Sequence, residues 1–349
     1  MNKSYKNILV HSIANLGDTV LSVGALGLLR KAYPEAKITF MVRHGLEDVF
    51  KNNPYFNEVI TYKYKSKGDY LSVWRKAQDL KKYHFDLVVS LDRRPRLALL
   101  MWLAGIKERI GPEMIYIEKK TMATKLYTKM VKIPYPLETK LQAENFQEII
   151  RLFTGRKESI RPVLGKADAK DRELIKKLMA EELPKGKKRV PVCVRALYPI
   201  KNWPQGRFAE LLDRLNQKYP QLTFFFIGTS DDRAYAEQIK ELCQSQVKNL
   251  CGRTNLAQLS ALFEESDMLL TIDTGAAHIA AAKGLPVTCI FCGGSYPAMV
   301  TPITDISVPV LAEDLSKYNL LSKQIDISVD KAEAAFEEML RRIEKEAKK

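Results

Sequence analysis

The sequence predicts an α/β protein built as two separate units of the parallel βαβ type. Three observations lead there. The chain has 349 residues, about twice the length of one ordinary domain. Short apolar runs alternate with helical stretches, the pattern of parallel strands covered by helices. That alternation breaks once, across residues 151–170, where RLFTGRKESIRPVLGKADAK sets Gly155, Pro162 and Gly165 among charges and reads as a linker. The expected domains are therefore residues 1–160 and 165–328, followed by a charged amphipathic helix over 330–349.

Taken in order, NILVHS (7–12) is a buried strand. Residues 18–32 form a helix, with Val20, Leu21, Ala25, Leu28 and Leu29 on one face and Pro34 closing it. Gly24 and Gly27 lie inside that helix and are expected to permit close packing. KITFMV (37–42) and FDLVVSL (85–91) are strands, and residues 96–104 are an apolar helix. After the linker the alternation restarts. RVPVCVR (189–195), LTFFFI (222–227), MLLTI (268–272) and residues 287–291 read as strands. Residues 204–219, 231–243 and 275–283 read as helices between them.

Composition narrows the function classes. At 46% apolar and 28% charged residues the chain is an ordinary globular protein. Its longest apolar stretch, residues 97–106, is half what a membrane span needs. The first residues show no apolar signal region. Five cysteines are an odd number without a pairing framework and fit a reducing, cytoplasmic compartment. Cys289 and Cys292 form a lone CxxC, read as core or loop thiols. The net charge of +15 is uneven. Residues 1–200 carry 39 Lys and Arg against 21 Asp and Glu, a net +18, whereas the remainder is −3. The first half is suited to an anionic partner: nucleic acid, an acidic membrane or a phosphorylated substrate.

Three segments sit at strand-to-helix turns, where ligands of such sheets bind. SIANLGD (12–18) follows the first strand. It lacks the GxGxxG dinucleotide loop. Asp18, at or near a helix N-cap, is either a capping carboxylate or an ionised general base at the mouth of a cleft. TIDTGAAHIAAA (271–282) ends a strand at Asp273 and opens a small-residue helix at Thr274 and Gly275, with His278 in its first turns. Free N–H groups at such a helix start suit a diphosphate; a lone His is otherwise structural. RALYPIKNWPQGRF (195–208) brings Arg195 and Lys201 to a third turn, to neutralise a diphosphate or simply to be solvated, and Trp203 to plug the next helix into the core. No Asp-x-Asp, HExxH, P-loop or GxSxG pattern occurs, and there are only four His. No metal site is expected.

Together these segments resemble glycosyltransferase family 9, the lipopolysaccharide heptosyltransferases. The resemblance rests on the opening strand, loop and helix through Asp18, on KNWPQGRFAEL, on DTGAAHIAAAKGLPVTCIF and on DLVVSLDRRPRLALLMWLAGIKERIG. It implies GT-B architecture, two Rossmann-like domains facing a central cleft, with the C-terminal helix packing back on the first. It also implies metal-independent, inverting transfer of heptose from ADP-heptose to a lipopolysaccharide inner-core acceptor, without a cofactor. Asp18 then matches the catalytic base. Lys201, Asp273, Thr274, Gly275 and His278 match the donor site, with Arg195 beside them and Asp232 as a possible ribose ligand. Arg43, Arg93, Arg94 and Arg96 are candidates for the acceptor's anionic groups. Two departures stand out: RALYPIK lacks the small-residue run usual before the Lys, and Gly293-Gly294-Ser295 replaces Gly-Pro-Thr. Another donor sugar, hexose or N-acetylhexosamine, or a nucleotide-sugar epimerase on the same fold, is the competing expectation. The basic half would meet anionic glycolipid at the cytoplasmic face of the inner membrane, with residues 119–132 suited to lie on headgroups. Aromatics do not interleave with the basic runs, so no nucleic-acid partner is expected.

Overall fold

The computed structural model describes residues 4–63, 69–92, 94–114, 122–319 and 323–348. The chain divides after Gly165 into two compact units. Each is a six-stranded sheet in which every pairing is parallel.

In the first unit the strands are β1 (Asn7–Ser12), β2 (Lys37–Arg43), β3 (Glu58–Tyr62), β4 (Leu87–Ser90), β5 (Glu108–Pro112) and β6 (Lys129–Val131). The helices are α1 (Leu16–Leu21), α2 (Val23–Ala32), α3 (Tyr70–Lys81), α4 (Pro95–Leu103) and α5 (Gln142–Thr154). The order is β3-β2-β1-β4-β5-β6. The central strands are buried on both faces, which is why their sequences read as continuous apolar runs. Leu9, Met41, Ile60 and Val88 face a core closed by α3 and α4.

The helix expected over 18–32 is two helices. Ser22 hydrogen-bonds through Oγ to the Thr19 carbonyl at 2.7 Å, and Ala25 N–H bonds Ser22 O in a tighter i to i+3 step. A side chain competing for backbone carbonyls bends a helix. A Cβ on Gly24 would stand 2.4 Å from Ile160 O, and one on Gly27 2.9 Å from Ile160 Cγ2. Both glycines therefore let the segment leaving α5 lie directly on α2. Gly155, at φ 74°, caps α5 in the left-handed conformation, and the chain runs without regular structure from there to α6.

The second unit has strands β7 (Lys188–Cys193), β8 (Leu222–Phe226), β9 (Lys248–Asn249), β10 (Leu269–Ile272), β11 (Val287–Ile290) and β12 (Ser307–Val310). Its helices are α6 (Ala169–Glu182), α7 (Gln205–Lys218), α8 (Arg233–Leu242), α9 (Leu256–Glu264), α10 (Gly275–Ala282), α11 (Pro297–Val300) and α12 (Val329–Ala347). The order is β12-β11-β10-β7-β8-β9. Strand for strand this repeats the first unit. Cys289 in β11 and Cys292 beyond it are both buried free thiols.

The C-terminal helix departs from expectation: α12 packs within the second unit. Its stripe of Val329, Ala332, Phe336 and Met339 is buried, and Phe336 meets Phe224 of β8 with ring centroids 5.8 Å apart. Arg214 of α7 bonds Asp330 at 2.8 Å and Glu333 at 3.0 Å, and Lys218 pairs with Glu337. The amphipathic face and the opposite charges of α7 and α12 match each other.

Candidate active site

In each sheet the order reverses once, between β1 and β4 and between β7 and β10. Loops leaving the carboxyl ends of two such strands part in opposite directions and open a crevice, the usual ligand site of a doubly wound sheet. Most of the sequence-selected residues stand on these four loops.

In the second unit, β7 leads to Arg195 and a short 3₁₀ turn, Pro199–Lys201. The loop is fixed by Ala196 N–H donating to Asn202 Oδ1 at 2.8 Å. Trp203 is fully buried, donates through Nε1 to Ile327 O at 2.9 Å and meets Phe208 edge-on. It is the plug its sequence position suggests. This anchoring presents Lys201, whose Nζ lies 2.5 Å from Asp273 Oδ2 at the end of β10. Both side chains are largely buried.

Thr274 is the N-cap of α10, but its side chain makes no capping bond. Ala277 N–H donates to the Thr274 carbonyl at 3.2 Å, while the N–H groups of Gly275 and Ala276 stand at the helix start, where no preceding turn supplies a partner. His278 is buried, and its Nδ1 has no partner. Burial pushes its pKa down to about 4, against the nearby Asp273 charge and with the Lys201 charge. The imidazole is therefore neutral at physiological pH. Lys201, Asp273, Thr274, Gly275 and His278 thus form one cluster: a lysine–aspartate ion pair, a helix N-terminus and a neutral ring.

Gly294, beyond β11, explains one departure from the family pattern. Its φ is +70°, and a Cβ there would stand 2.7 Å from Ile200 Cγ2 and 3.2 Å from Lys201 Cγ. Proline, locked near φ −65°, cannot take that conformation. The glycine makes room for the Lys201 stem.

Arg195 and Asp232 lie together but are already engaged. Arg195 Nη1 donates to Asp231 O at 2.9 Å and to Asp232 Oδ1 at 3.0 Å, and its guanidinium lies 6.0 Å from the Tyr235 ring centroid. Asp232 Oδ2 accepts from Thr229 N and Oγ1, both at 2.8 Å. This carboxylate closes a capping box; a ribose would have to share it.

In the first unit, Asp18 is not the N-cap but the third residue of α1; Asn15 holds the cap position. Asp18 is half-buried, and carboxylates in a first turn are favoured by the helix dipole. Two of the selected arginines secure its loop. Arg43 Nη1 donates to Asn15 Oδ1 at 3.2 Å. Arg94 Nη1 donates to Ile13 O and lies 3.4 Å from Asp92 Oδ2. Arg96, in the first turn of α4, is half-buried. Arg93 falls outside the described residues. Residues 122–131 of the basic segment form a 3₁₀ turn and the edge strand β6, not a helix lying on a surface; residues 119–121 are outside the described residues.

Sequence reasoning missed three groups beneath this loop. Asp92 is 2% exposed and ties Arg94 through both its backbone N–H and its guanidinium. Tyr127 Oη donates to Ser90 Oγ and Asp92 O, each at 3.2 Å. His11 is fully buried, with neither ring nitrogen hydrogen-bonded. Burial lowers its pKa to about 4, opposed by Asp92 and reinforced by Arg94. A buried acid directly after a strand was the available signal for Asp92; the other two are visible only in three dimensions. Among the described residues, no group of three His, Cys, Asp or Glu is placed to hold a metal ion.

The model of glycosyltransferase family 9 (heptosyltransferase) matches residues 73–326. The chain belongs to glycosyltransferase family 9. It is a glycosyltransferase. Lipopolysaccharide heptosyltransferase 3 of Escherichia coli strain K12 is 23% identical over 283 residues, covering 79% of each chain. The family 9 glycosyl transferase of Veillonella parvula superposes with a TM-score of 0.83 at 21% identity, covering 98% of this chain and 99% of the other. Escherichia coli ADP-heptose lps heptosyltransferase II gives 0.79 at 20% identity, covering 97% and 99%. The two repeated sheets are thus the GT-B fold of this family.

Proposed function

We propose that this family 9 enzyme transfers a heptose from ADP-heptose to the inner core of an anionic lipopolysaccharide acceptor, with inversion and without a metal. The observation that carries this reading is the second unit's switch point. There Lys201, ion-paired with Asp273, and the N-terminus of α10 lie together next to a neutral His278, an arrangement that suits a diphosphate. A diphosphate leaving group accumulates negative charge as its bond to the sugar breaks. Preorganised N–H groups and a cation stabilise that charge without a metal ion. The name of the E. coli structural relative, an ADP-heptose heptosyltransferase, supports adenine as the base and heptose as the sugar.

Asp18 is assigned as general base. It takes the proton from the acceptor hydroxyl as that oxygen attacks the anomeric carbon from the side opposite ADP, which inverts the configuration. Arg43 and Arg94 hold its loop, so the carboxylate is positioned before substrate arrives. Arg96 and the basic first half suit a phosphorylated acceptor at the cytoplasmic face of the inner membrane.

Incubation with ADP-heptose and a heptose-deficient core glycolipid, in the presence of EDTA, tests this directly. The expected product carries one added heptose with inverted anomeric configuration by NMR. Transfer only from a UDP-hexose or UDP-N-acetylhexosamine would remove heptose, and epimerisation without acceptor would remove the transferase mechanism assigned to Asp18.

A further inference from the structure

Helix α4 has an unusual surface for a helix on the outside of a sheet. Its sequence, PRLALLMWL, holds a single polar side chain, Arg96. Leu97, Leu100 and Met101 are buried inward. A surface helix ordinarily turns a polar face outward. Here Trp102 is 52% exposed, while Leu99 and Leu103 are half-buried and pack against the core under the helix. The neighbouring α3 repeats the pattern: Val73, Ala77 and Leu80 point inward, while Tyr70, Leu71 and Trp74 are 63%, 56% and 53% exposed. The two helices pack side by side. Two of the chain's three tryptophans therefore stand in solvent on one face, whereas Trp203 is fully buried.

The charge around this face is one-sided. Helices α3 and α4 carry Arg75, Lys76, Lys81 and Arg96 against Asp79. Acids of the neighbouring segments are already engaged. Asp86 accepts from the Lys6 and Asn7 N–H groups, Glu108 from the Tyr5 hydroxyl, and Asp92 is buried against Arg94. Asp69 caps α3. Arg75 and Lys81 of α3, and Lys125 in the 3₁₀ turn that packs on α4, are exposed.

We infer that the outward face of α3 and α4 docks the enzyme on an anionic lipid bilayer. Tryptophan and tyrosine rings, apolar with one polar edge, favour headgroup depth, and the surrounding cations favour an anionic leaflet. A second copy of the chain would bring like charge against like charge. A nucleic acid would use the cations but leave the exposed Leu71 uncovered. A bilayer takes both. This extends the glycolipid reading by naming the surface, and it is separable from the donor chemistry.

The test uses the full chain with phosphatidylcholine vesicles, with and without phosphatidylglycerol. Co-sedimentation is expected only with phosphatidylglycerol and should weaken as salt rises. Tryptophan emission should shift to the blue, with protection from iodide quenching, because Trp203 contributes a constant buried background. Trp74→Ser with Trp102→Ser should lower vesicle binding by about tenfold or more, as expected for withdrawing two interfacial anchors, while ADP binding stays unchanged. Binding that the double variant leaves intact, absence of binding to either vesicle, a dimer that the variant dissolves, or salt-sensitive DNA binding lost in the variant would each overturn the inference. Loss of ADP binding with vesicle binding intact would instead strike the proposed reaction alone.

Discussion

The Lys201 ammonium and the Asp273 carboxylate meet at 2.5 Å, on the loops that part at the second sheet's switch point. Both side chains are largely buried. Breaking such a pair from one side strands a charge, which costs about 3–5 kcal/mol. Lys201→Ala is therefore expected to destabilise the protein by several kcal/mol in urea unfolding. Adding Asp273→Asn should recover part of that loss, because the stranded charge goes with it. A double variant no more stable than Lys201→Ala would mean the pair is not coupled.

Asp18 sits in the first turn of α1, on a loop held by Arg43 and Arg94. Asp18→Asn keeps the shape and removes the base. It should lower kcat by at least ~10²-fold while leaving ADP affinity within a few-fold. Near-normal turnover would take the role of base away from this residue. Arg94→Ala should reproduce a smaller fall in kcat without a matching loss of ADP binding, since it acts on the loop rather than on the donor.

His11 and His278 make stability depend on pH. Burial holds both near a pKa of about 4, below the ordinary 6.5. The unfolded chain takes up protons below about 6.5, while the folded protein does not until about 4. Stability should therefore fall as pH drops through that window, by roughly 1.4 kcal/mol per pH unit for each histidine, and should be unaffected by either above it. His11→Leu, which removes one of the two, should roughly halve this histidine slope in denaturant midpoints measured from pH 7 to pH 4.5. An unchanged slope would show that His11 is protonated in the folded state.

Gly294 is expected to be intolerant of a side chain. At φ +70° an alanine costs about 1–2 kcal/mol in backbone strain, and its Cβ would press on Ile200 and Lys201. Gly294→Ala should lower both the melting temperature and ADP affinity. If affinity holds while stability falls, Lys201 has room to move and the glycine serves only the turn.

Much of this was legible in the sequence where elements are buried on both sides. Strands such as VPVCV and LTFFF declare themselves because a parallel sheet hides both faces, and the turns after them carry Asp18, Lys201 and Asp273. What was missed has weaker patterning. Helix α6 lies where charges dominate, KDRELIKKLMAEE, with only Ile175, Leu178 and Met179 buried, so no element is legible between the linker and the strand at 189. Strands β5 and β6 are short and near an edge. The break at Ser22 depends on one hydroxyl choosing a backbone carbonyl. The placement of α12 is a matter of which charged helix it meets; its amphipathic stripe fixes that it packs, and Arg214 and Lys218 decide where. The engagement of Asp232 by Thr229 and Arg195 is likewise a three-dimensional fact.

On the proposed mechanism, the Lys201 and α10 cluster binds the diphosphate of an ADP-sugar without a metal. Calorimetric titration of ADP in EDTA, set beside UDP, GDP and CDP and repeated on Lys201→Ala, tests it most directly. Selective ADP binding is expected, weakened in Lys201→Ala by roughly 1–3 kcal/mol, the value of a charge-assisted hydrogen bond. Binding that requires added divalent metal, or ADP affinity indifferent to Lys201, would contradict it.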